Sequence, residues 1–161
     1  MSSSAADPRS KILDLNQLTA WRARQSGRVV FTNGVFDLLH PGHIDVLIGA
    51  RREGDALVVG LNTDASVRRL KGPDRPIRST AERSYVLAAL SMVDVVVAFD
   101  EDTPLELILR SRPDILVKGG DYSLHTIVGA REVESWGGSV VVIPLTPGQS
   151  TTSIVQRLRG S

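Results

Sequence analysis

Residues 29–43 read VVFTNGVFDLLHPGH, and this stretch decides the fold class. It begins with a short apolar and largely β-branched run at residues 29–32, which predicts a buried strand. Gly34 follows, where the absence of a side chain lets a ligand approach the backbone closely. Gly42 and His43 stand at the expected start of a helix, whose free amide groups favour an anion. The stretch therefore predicts a strand, a ligand-binding turn and a helix in succession.

The same alternation of strand and helix continues along the chain. Strands are expected at residues 29–32, 56–61, 93–99, 114–117 and 139–143, and helices at 10–24, 42–53, 63–70, 79–92, 104–110, 127–136 and 151–158. Apolar strands that alternate with helices indicate a parallel sheet with helices on both faces. We therefore predict one doubly wound α/β domain over residues 10–161, with a five-stranded parallel sheet, after a disordered lead-in at residues 1–9.

Composition limits the functions that the chain can have. Its 161 residues, 42 % of them hydrophobic, fit one globular domain. The chain contains no cysteine, which excludes disulfides and thiolate metal sites, and no apolar run fits a membrane span or a secretory signal. These features favour the cytoplasm and no membrane partner. The net charge of +1 and the 4 % aromatic content argue against nucleic acid as a partner.

The candidate site lies in the segments after the strands, because parallel sheets bind ligands at the carboxyl ends of their strands. The second strand is followed by Asn62 and Asp64, and then by a basic cluster that includes Lys71, Arg75 and Arg83. Such a cluster in a nearly neutral chain favours polyanion binding, with a solvated basic face as the alternative.

The fourth and fifth strands are each followed by a segment suited to phosphate. Lys118, Gly119 and Asp121 belong to a Lys-Gly-Gly-Asp turn with exposed amides, for which a plain turn is the alternative. Before the last helix the hydroxyls of residues 150–152 follow Gly148, and they face a helix amino end. A helix cap alone would need only one hydroxyl, and the lysine of a P-loop is absent here.

His40 and His43 are two of the three histidines of the chain. Both can donate hydrogen bonds to phosphate oxygens and stabilise developing charge. A metal site is an alternative interpretation, but no third or fourth ligand lies nearby in the sequence. A structural turn is another, but it leaves the neighbouring Asn33-Gly34 and Phe36-Asp37 pairs unexplained.

The pattern Gly-x-Phe-Asp-x-x-His-x-Gly-His at residues 34–43 resembles the cytidylyltransferase-like nucleotidyltransferase superfamily, which has a Rossmann-like fold. In that superfamily the two histidines contact the triphosphate and stabilise the transition state. The residues that the resemblance implies are His40, His43 and Lys71 for catalysis; Thr32, Asn33, Gly34, Phe36, Asp37, Gly42, Arg83, Lys118, Gly119, Asp121, Gly148, Ser150, Thr151 and Thr152 for the nucleotide; and Asn62, Asp64 and Arg75 for the acceptor.

Segments FTNG (31–34), LKG (70–72), EDTP (101–104) and LVKGGDY (116–122) resemble the adenylyltransferase that makes ADP-heptose. The resemblance implies AMP transfer from ATP to D-glycero-β-D-manno-heptose 1-phosphate, in a pathway that leads to lipopolysaccharide or to another heptose-containing product. In many bacteria this activity is one half of a bifunctional protein with a sugar kinase. The resemblance covers residues 10–158, which favours a stand-alone form supplied by a separate heptose kinase. Relatives are commonly dimers, so a homodimer is expected.

The acceptor of such a transfer is a phosphate monoester, whose second pKa of about 6 makes it mostly dianionic at neutral pH. It needs no strong base, so we expect direct in-line attack on the α-phosphorus without a covalent intermediate. Mg²⁺ is expected as the cofactor, held mainly by the triphosphate and water, with no protein metal ligand. The acidic residues 100–102 are expected to form a solvated loop.

Two other functions stay open. One is a cytidylyltransferase that acts on glycerol 3-phosphate or another small phosphate, since such relatives share the nucleotide motifs. The other is a nucleotide-sensing module without catalysis.

Overall fold

Five strands form one parallel sheet in the computed structural model, which describes residues 5–120 and 122–160 apart from the side chain at position 125. They are β1 (Val29–Gly34), β2 (Ala56–Asn62), β3 (Val95–Phe99), β4 (Ile115–Gly119) and β5 (Ser139–Ile143). Their order is β3-β2-β1-β4-β5, and every neighbouring pair is parallel. The predicted five-stranded parallel sheet is confirmed. The strand order changes direction between β1 and β4, which is where such sheets open a crevice for ligands.

Helices cover both faces of the sheet, as predicted. Among the described residues they are α1 (Leu15–Ala23), α2 (Pro41–Arg52), α3 (Asp64–Lys71), α4 (Thr80–Ala88), α5 (Leu105–Ser111), α6 (Ala130–Ser135) and α7 (Thr151–Arg159). Successive residues of β1 point to opposite faces. Phe31 belongs to a core shared with α1, α5 and α6, and Val30 to a core shared with α2 and α4. No described helix is both long enough and apolar enough to cross a bilayer.

The N-terminal segment differs from the helix predicted over residues 10–24. A 3-10 helix, Pro8–Lys11, comes first, so residues 8 and 9 of the expected lead-in belong to a helix; residues 1–4 lie outside the described part. Ile12 then forms a parallel bridge to Val96 at the edge of the sheet. The α-helix begins only after Asp14, because Asp14 and Gln17 form a capping box there.

Other element boundaries also differ from the prediction. The helix expected over residues 79–92 ends at Ala88, and the strand expected from residue 93 begins at Val95. The helix expected over 127–136 is shorter and covers only α6, and a separate 3-10 turn, Leu124–Thr126, precedes it. Gly129 separates them with a φ of 87°, a left-handed conformation that favours glycine.

Candidate active site

Two adjoining cavities lie at the carboxyl edge of the sheet, and residues of both β1 and β4 line each of them. The histidine cavity, of about 310 Å³, contains His40, His43 and the start of α7. The outer cavity, of about 470 Å³, contains the end of β2 and the segment after β3. The residues that line both are Asn33, Gly34, Val35, Lys71, Lys118 and Tyr122. The two cavities therefore meet at a junction that carries two lysines.

The histidine pair is held at the start of α2. His40 is the N-cap in an extended conformation, and Pro41 takes the first helical position, where its missing N–H costs nothing. The two imidazole rings stack with centroids 3.8 Å apart. The backbone N–H of His40 donates to Nδ1 of His43 at 3.3 Å. Since Nδ1 accepts, neutral His43 carries its proton on Nε2 and keeps that N–H as a donor.

Both histidines favour the neutral form. The pKa of His43 is lowered to about 4, mainly by burial and in addition by repulsion from protonated His40 and from Lys71. Burial also lowers the pKa of His40. At neutral pH His43 is thus a hydrogen-bond donor without a net charge.

Gly42 makes room for this arrangement. A β-carbon at this position would lie 2.9 Å from Cε1 of His40 and 3.1 Å from Cβ of Gln149. Real β-carbons do not approach other atoms as closely as the first distance, so any side chain would displace the His40 ring. Gln149 lines the histidine cavity and was missed from the sequence, although it adjoins the predicted Gly148 and Ser150.

The two lysines differ in their surroundings. Lys71 is the last residue of α3 and is exposed, whereas Lys118 lies half-buried in β4. Burial lowers the pKa of Lys118, and its ammonium lies 5.4 Å from the centre of the Tyr122 ring. No carboxylate of the described residues lines the histidine cavity. This cavity therefore suits an anion.

The first residues of α7 also line the histidine cavity. Ser150 caps the helix by accepting from the N–H of Ser153 at 2.9 Å. The hydroxyl of Thr151 donates to the carbonyl of Leu38 at 3.2 Å. This bond fixes α7 against the loop that precedes the histidines, so that the free amides of the helix start adjoin the cavity.

Most of the residues predicted for the nucleotide and for catalysis are brought together. Those that line the histidine cavity are Thr32, Asn33, Gly34, Phe36, His40, Gly42, His43, Lys71, Lys118, Gly119, Ser150, Thr151 and Thr152. Gly148 lies beside this lining without belonging to it, and Asp121 lies outside the described residues.

Arg83 is placed differently from its predicted role at the nucleotide. Its side chain is completely buried, and it lines neither of the two cavities. All five guanidinium donors are used inside the protein. Their acceptors are the carbonyls of Val35, Asn62 and Arg78, the carboxylate of Asp64 and the hydroxyl of Thr80. In this arrangement Arg83 has no donor left for a phosphate and instead ties the ends of β1 and β2 to α4.

Asp37 likewise lines neither cavity, and its hydrogen bonds are made to other groups of the protein. It is 2 % exposed and accepts hydrogen bonds from Nε of Arg75 at 2.8 Å and from the backbone N–H groups of Ile77 and Arg78. Burial raises the pKa of its carboxyl, but the two amides and the Arg75 guanidinium outweigh this and hold the pKa below its usual range. Asp37 therefore anchors the loop between α3 and α4.

The three residues predicted for the acceptor are not brought together. Asn62 lines the outer cavity, whereas Asp64 pairs with Arg83 and Arg75 pairs with Asp37. Asp102 and Thr103 do line the outer cavity and were missed. They follow β3, so the rule that sites lie after strand ends would have found them had it been applied to the third strand as well.

Among the described residues, no group of three or more His, Asp or Glu side chains is arranged to hold a metal ion.

Residues 31–157 match the cytidylyltransferase-like family. The chain is 63 % identical over 135 residues to the bifunctional protein HldE of Syntrophotalea carbinolica, and 62 % identical over 141 residues to that of Acidiphilium cryptum. These alignments cover 84 % and 87 % of this chain, but only 28 % and 29 % of those relatives. The chain thus spans less than a third of the length of these relatives.

Two solved structures have a similar fold. The lipopolysaccharide core biosynthesis protein from Thermoplasma volcanium GSS1 is 28 % identical with a TM-score of 0.60, over 75 % of this chain and 98 % of that one. The pantoate-beta-alanine ligase of Francisella tularensis is 16 % identical with a TM-score of 0.63, over 91 % and 72 % of the two chains. The second likeness concerns the fold alone.

The anchoring role of Asp37 predicts a pH-dependent loss of stability in Asp37→Asn. At pH 7 the free energy of unfolding of the variant should be about 1.5–3 kcal/mol lower than that of the unmodified chain, because hydrogen bonds to a buried charge are lost. The native pKa lies below the unfolded value of 3.8, so this stabilisation is present above that value and is lost as the pH falls through the native pKa. Urea unfolding followed by tryptophan fluorescence should show the stabilities of the two proteins converging as the pH falls below 3.8.

Asp74→Asn is the matched control, because the Asp74 side chain is 79 % exposed and only distantly paired with Arg159. It should unfold like the unmodified chain at every pH. An equal loss in both variants, or a difference for Asp37→Asn that persists at low pH, would contradict the anchoring role.

Proposed function

Since the chain belongs to the cytidylyltransferase-like family of nucleotidyltransferases, we propose that it transfers AMP from ATP to D-glycero-β-D-manno-heptose 1-phosphate, giving ADP-heptose and pyrophosphate. The similarity to relatives named HldE supports nucleotidyl transfer in heptose metabolism, and the choice of ATP and of this acceptor follows the resemblance of residues 31–34 and 116–122. The acceptor would come from a sugar kinase. A homodimer and a cytoplasmic location stay predictions.

The observation that carries this proposal is the lysine-bearing junction between the two cavities. A transfer between two phosphates needs adjoining sites and cations where the two anions meet, because like charges oppose the approach. Lys71 and Lys118 line both cavities and meet that need. The neutral His43 adds a donor on the side of the histidine cavity. We assign ATP to the histidine cavity and the acceptor to the outer cavity.

The chemistry would be a direct displacement. The acceptor phosphate is already mostly ionised at neutral pH, so one of its oxygens attacks the α-phosphorus while the bond to pyrophosphate breaks. His43 would donate through Nε2 to a phosphate oxygen as charge develops, and the α7 amides would bind the triphosphate. Neither Arg83 nor Asp37 contacts substrate in this scheme; each is a positioning residue.

Mg²⁺ fits the site only as a metal that enters with the triphosphate. The described lining of the histidine cavity contains no carboxylate, and the carboxylate of Asp37 is already occupied by Arg75 and two amides. Bound to phosphate oxygens and water, the ion would neutralise charge on the triphosphate.

The direct test is pyrophosphate release measured with ATP, CTP and GTP, each with the heptose 1-phosphate and with glycerol 3-phosphate. ATP with the heptose 1-phosphate should give the highest kcat/KM. A preference for CTP with glycerol 3-phosphate would replace the proposal with a cytidylyltransferase. Calorimetric binding of ATP without turnover of any acceptor would favour a sensing module.

His43→Ala should fold normally and lose roughly 10²–10³-fold in kcat, because a donor to the transition state is removed. Circular dichroism checks the fold, and single-turnover kinetics measures the rate. Arg52→Ala, exposed on the same helix and outside both cavities, is the control and should keep its rate. Near-normal turnover by folded His43→Ala removes this histidine from the chemistry.

Lys71→Ala should weaken the binding of both substrates, because this lysine lines both cavities. We expect the KM for ATP and the KM for the acceptor each to rise roughly tenfold, as for the loss of a hydrogen bond to a charged group. Arg68→Ala changes an exposed cation on the same helix that lines neither cavity, and it should leave both constants unchanged. A rise confined to one substrate would contradict the shared position.

A further inference from the structure

Asp102 is the only carboxylate of the described residues that lines either cavity of the active site. It lies in the outer cavity, in the loop after β3, and its side chain is 77 % exposed. Its Oδ1 is 3.3 Å from Nε of Arg69, which is also exposed. Thr103 follows it in the cavity lining and is exposed as well. Both oxygen-bearing side chains are thus accessible to a ligand.

A carboxylate beside a site for two polyanions needs an explanation. It repels phosphate and accepts hydrogen bonds from neutral hydroxyl groups, whereas Lys71 and Lys118 at the junction attract phosphate. The outer cavity is therefore electrically polarised. An acceptor would bind with its phosphate towards the two lysines and its hydroxyl groups towards residues 102 and 103.

The remaining lining and the size of the cavity fit a sugar ring. Phe99, Leu116 and Ile127 are buried and provide an apolar surface, and Asn62 provides a polar one. The volume of about 470 Å³ lies within the range of roughly 300–1,000 Å³ that is usual for ligand sites. A ring with an apolar face and several hydroxyls can use both kinds of surface.

We propose that Asp102 and Thr103 form the hydroxyl-recognising end of the acceptor subsite. Through it the enzyme selects a polyhydroxylated sugar phosphate over a short-chain phosphate. The proposal rests on the proposed function. It assigns Asp102 and Thr103 as acceptor contacts in place of Asp64 and Arg75.

The test compares Asp102→Asn and Thr103→Val with the unmodified chain in steady-state kinetics. For Asp102→Asn the KM for the sugar 1-phosphate should rise roughly tenfold, as for a lost hydrogen bond to a charged group, while the KM for ATP stays within about twofold. Thr103→Val should also raise the KM for the sugar 1-phosphate. The low kcat/KM for glycerol 3-phosphate should not fall in either variant.

Two control variants separate this role from general charge effects. Glu101→Gln removes the neighbouring carboxylate, which lines neither cavity, and should leave every constant unchanged. Arg69→Gln breaks the ion pair of Asp102 without removing the carboxylate, and should affect the acceptor less than Asp102→Asn. An unchanged acceptor KM in Asp102→Asn would overturn the proposal, and so would a rise in the KM for ATP alone.

A binding measurement tests the acceptor subsite independently of the proposed reaction. If the unmodified chain releases no pyrophosphate with any sugar 1-phosphate, the function fails. Calorimetry of the heptose 1-phosphate, with a non-hydrolysable ATP analogue present, then decides on the subsite. Weaker binding by Asp102→Asn than by the unmodified chain supports it, and equal binding or no binding by the unmodified chain overturns it.

Discussion

Two partly buried imidazole rings stack 3.8 Å apart at the start of α2, and this arrangement favours the neutral form of both and sets the character of the site. Two like charges about 4 Å apart repel by roughly 4 kcal/mol near a protein surface. Burial acts in the same direction and favours neutral rings. The bond from the His40 amide to Nδ1 of His43 then fixes which nitrogen keeps the proton. One geometry thereby caps a helix and presents a neutral donor to the ligand.

The charged side chains around the site form two groups, the ion pairs with buried partners and the two lysines at the cavity junction. The ion pairs of Arg83 with Asp64 and of Arg75 with Asp37 each contain one side chain that is almost completely buried, Arg83 and Asp37. The hydrogen bonds of Arg83 connect the ends of β1 and β2 to α4. Breaking such a pair leaves a buried charge unpaired, which is strongly unfavourable. Lys71 and Lys118 lie instead at the cavity junction. The buried pairs therefore hold the loops around this junction, where we propose that the lysines bind phosphate.

The sheet and most of the histidine cavity could be predicted, because apolar strands and strand-end motifs are local signals. The resemblance based on residues 34–43 is confirmed at the family level. Sequence could not separate an arginine that binds phosphate from one that binds carbonyls, although Arg83 lies one helical turn before the buried Leu87 and so on the inner face of α4. Asp102 was missed because an acidic run without an assigned partner resembles a solvated loop.

The state of His43 in the free protein tests this account most directly. Nitrogen-15 NMR of the imidazole ring, followed as a function of pH, reports both the pKa and the position of the proton. We predict a pKa of about 4 and, at pH 7, a neutral ring with its proton on Nε2. A pKa near the ordinary value of 6.5, or a proton on Nδ1, would contradict it.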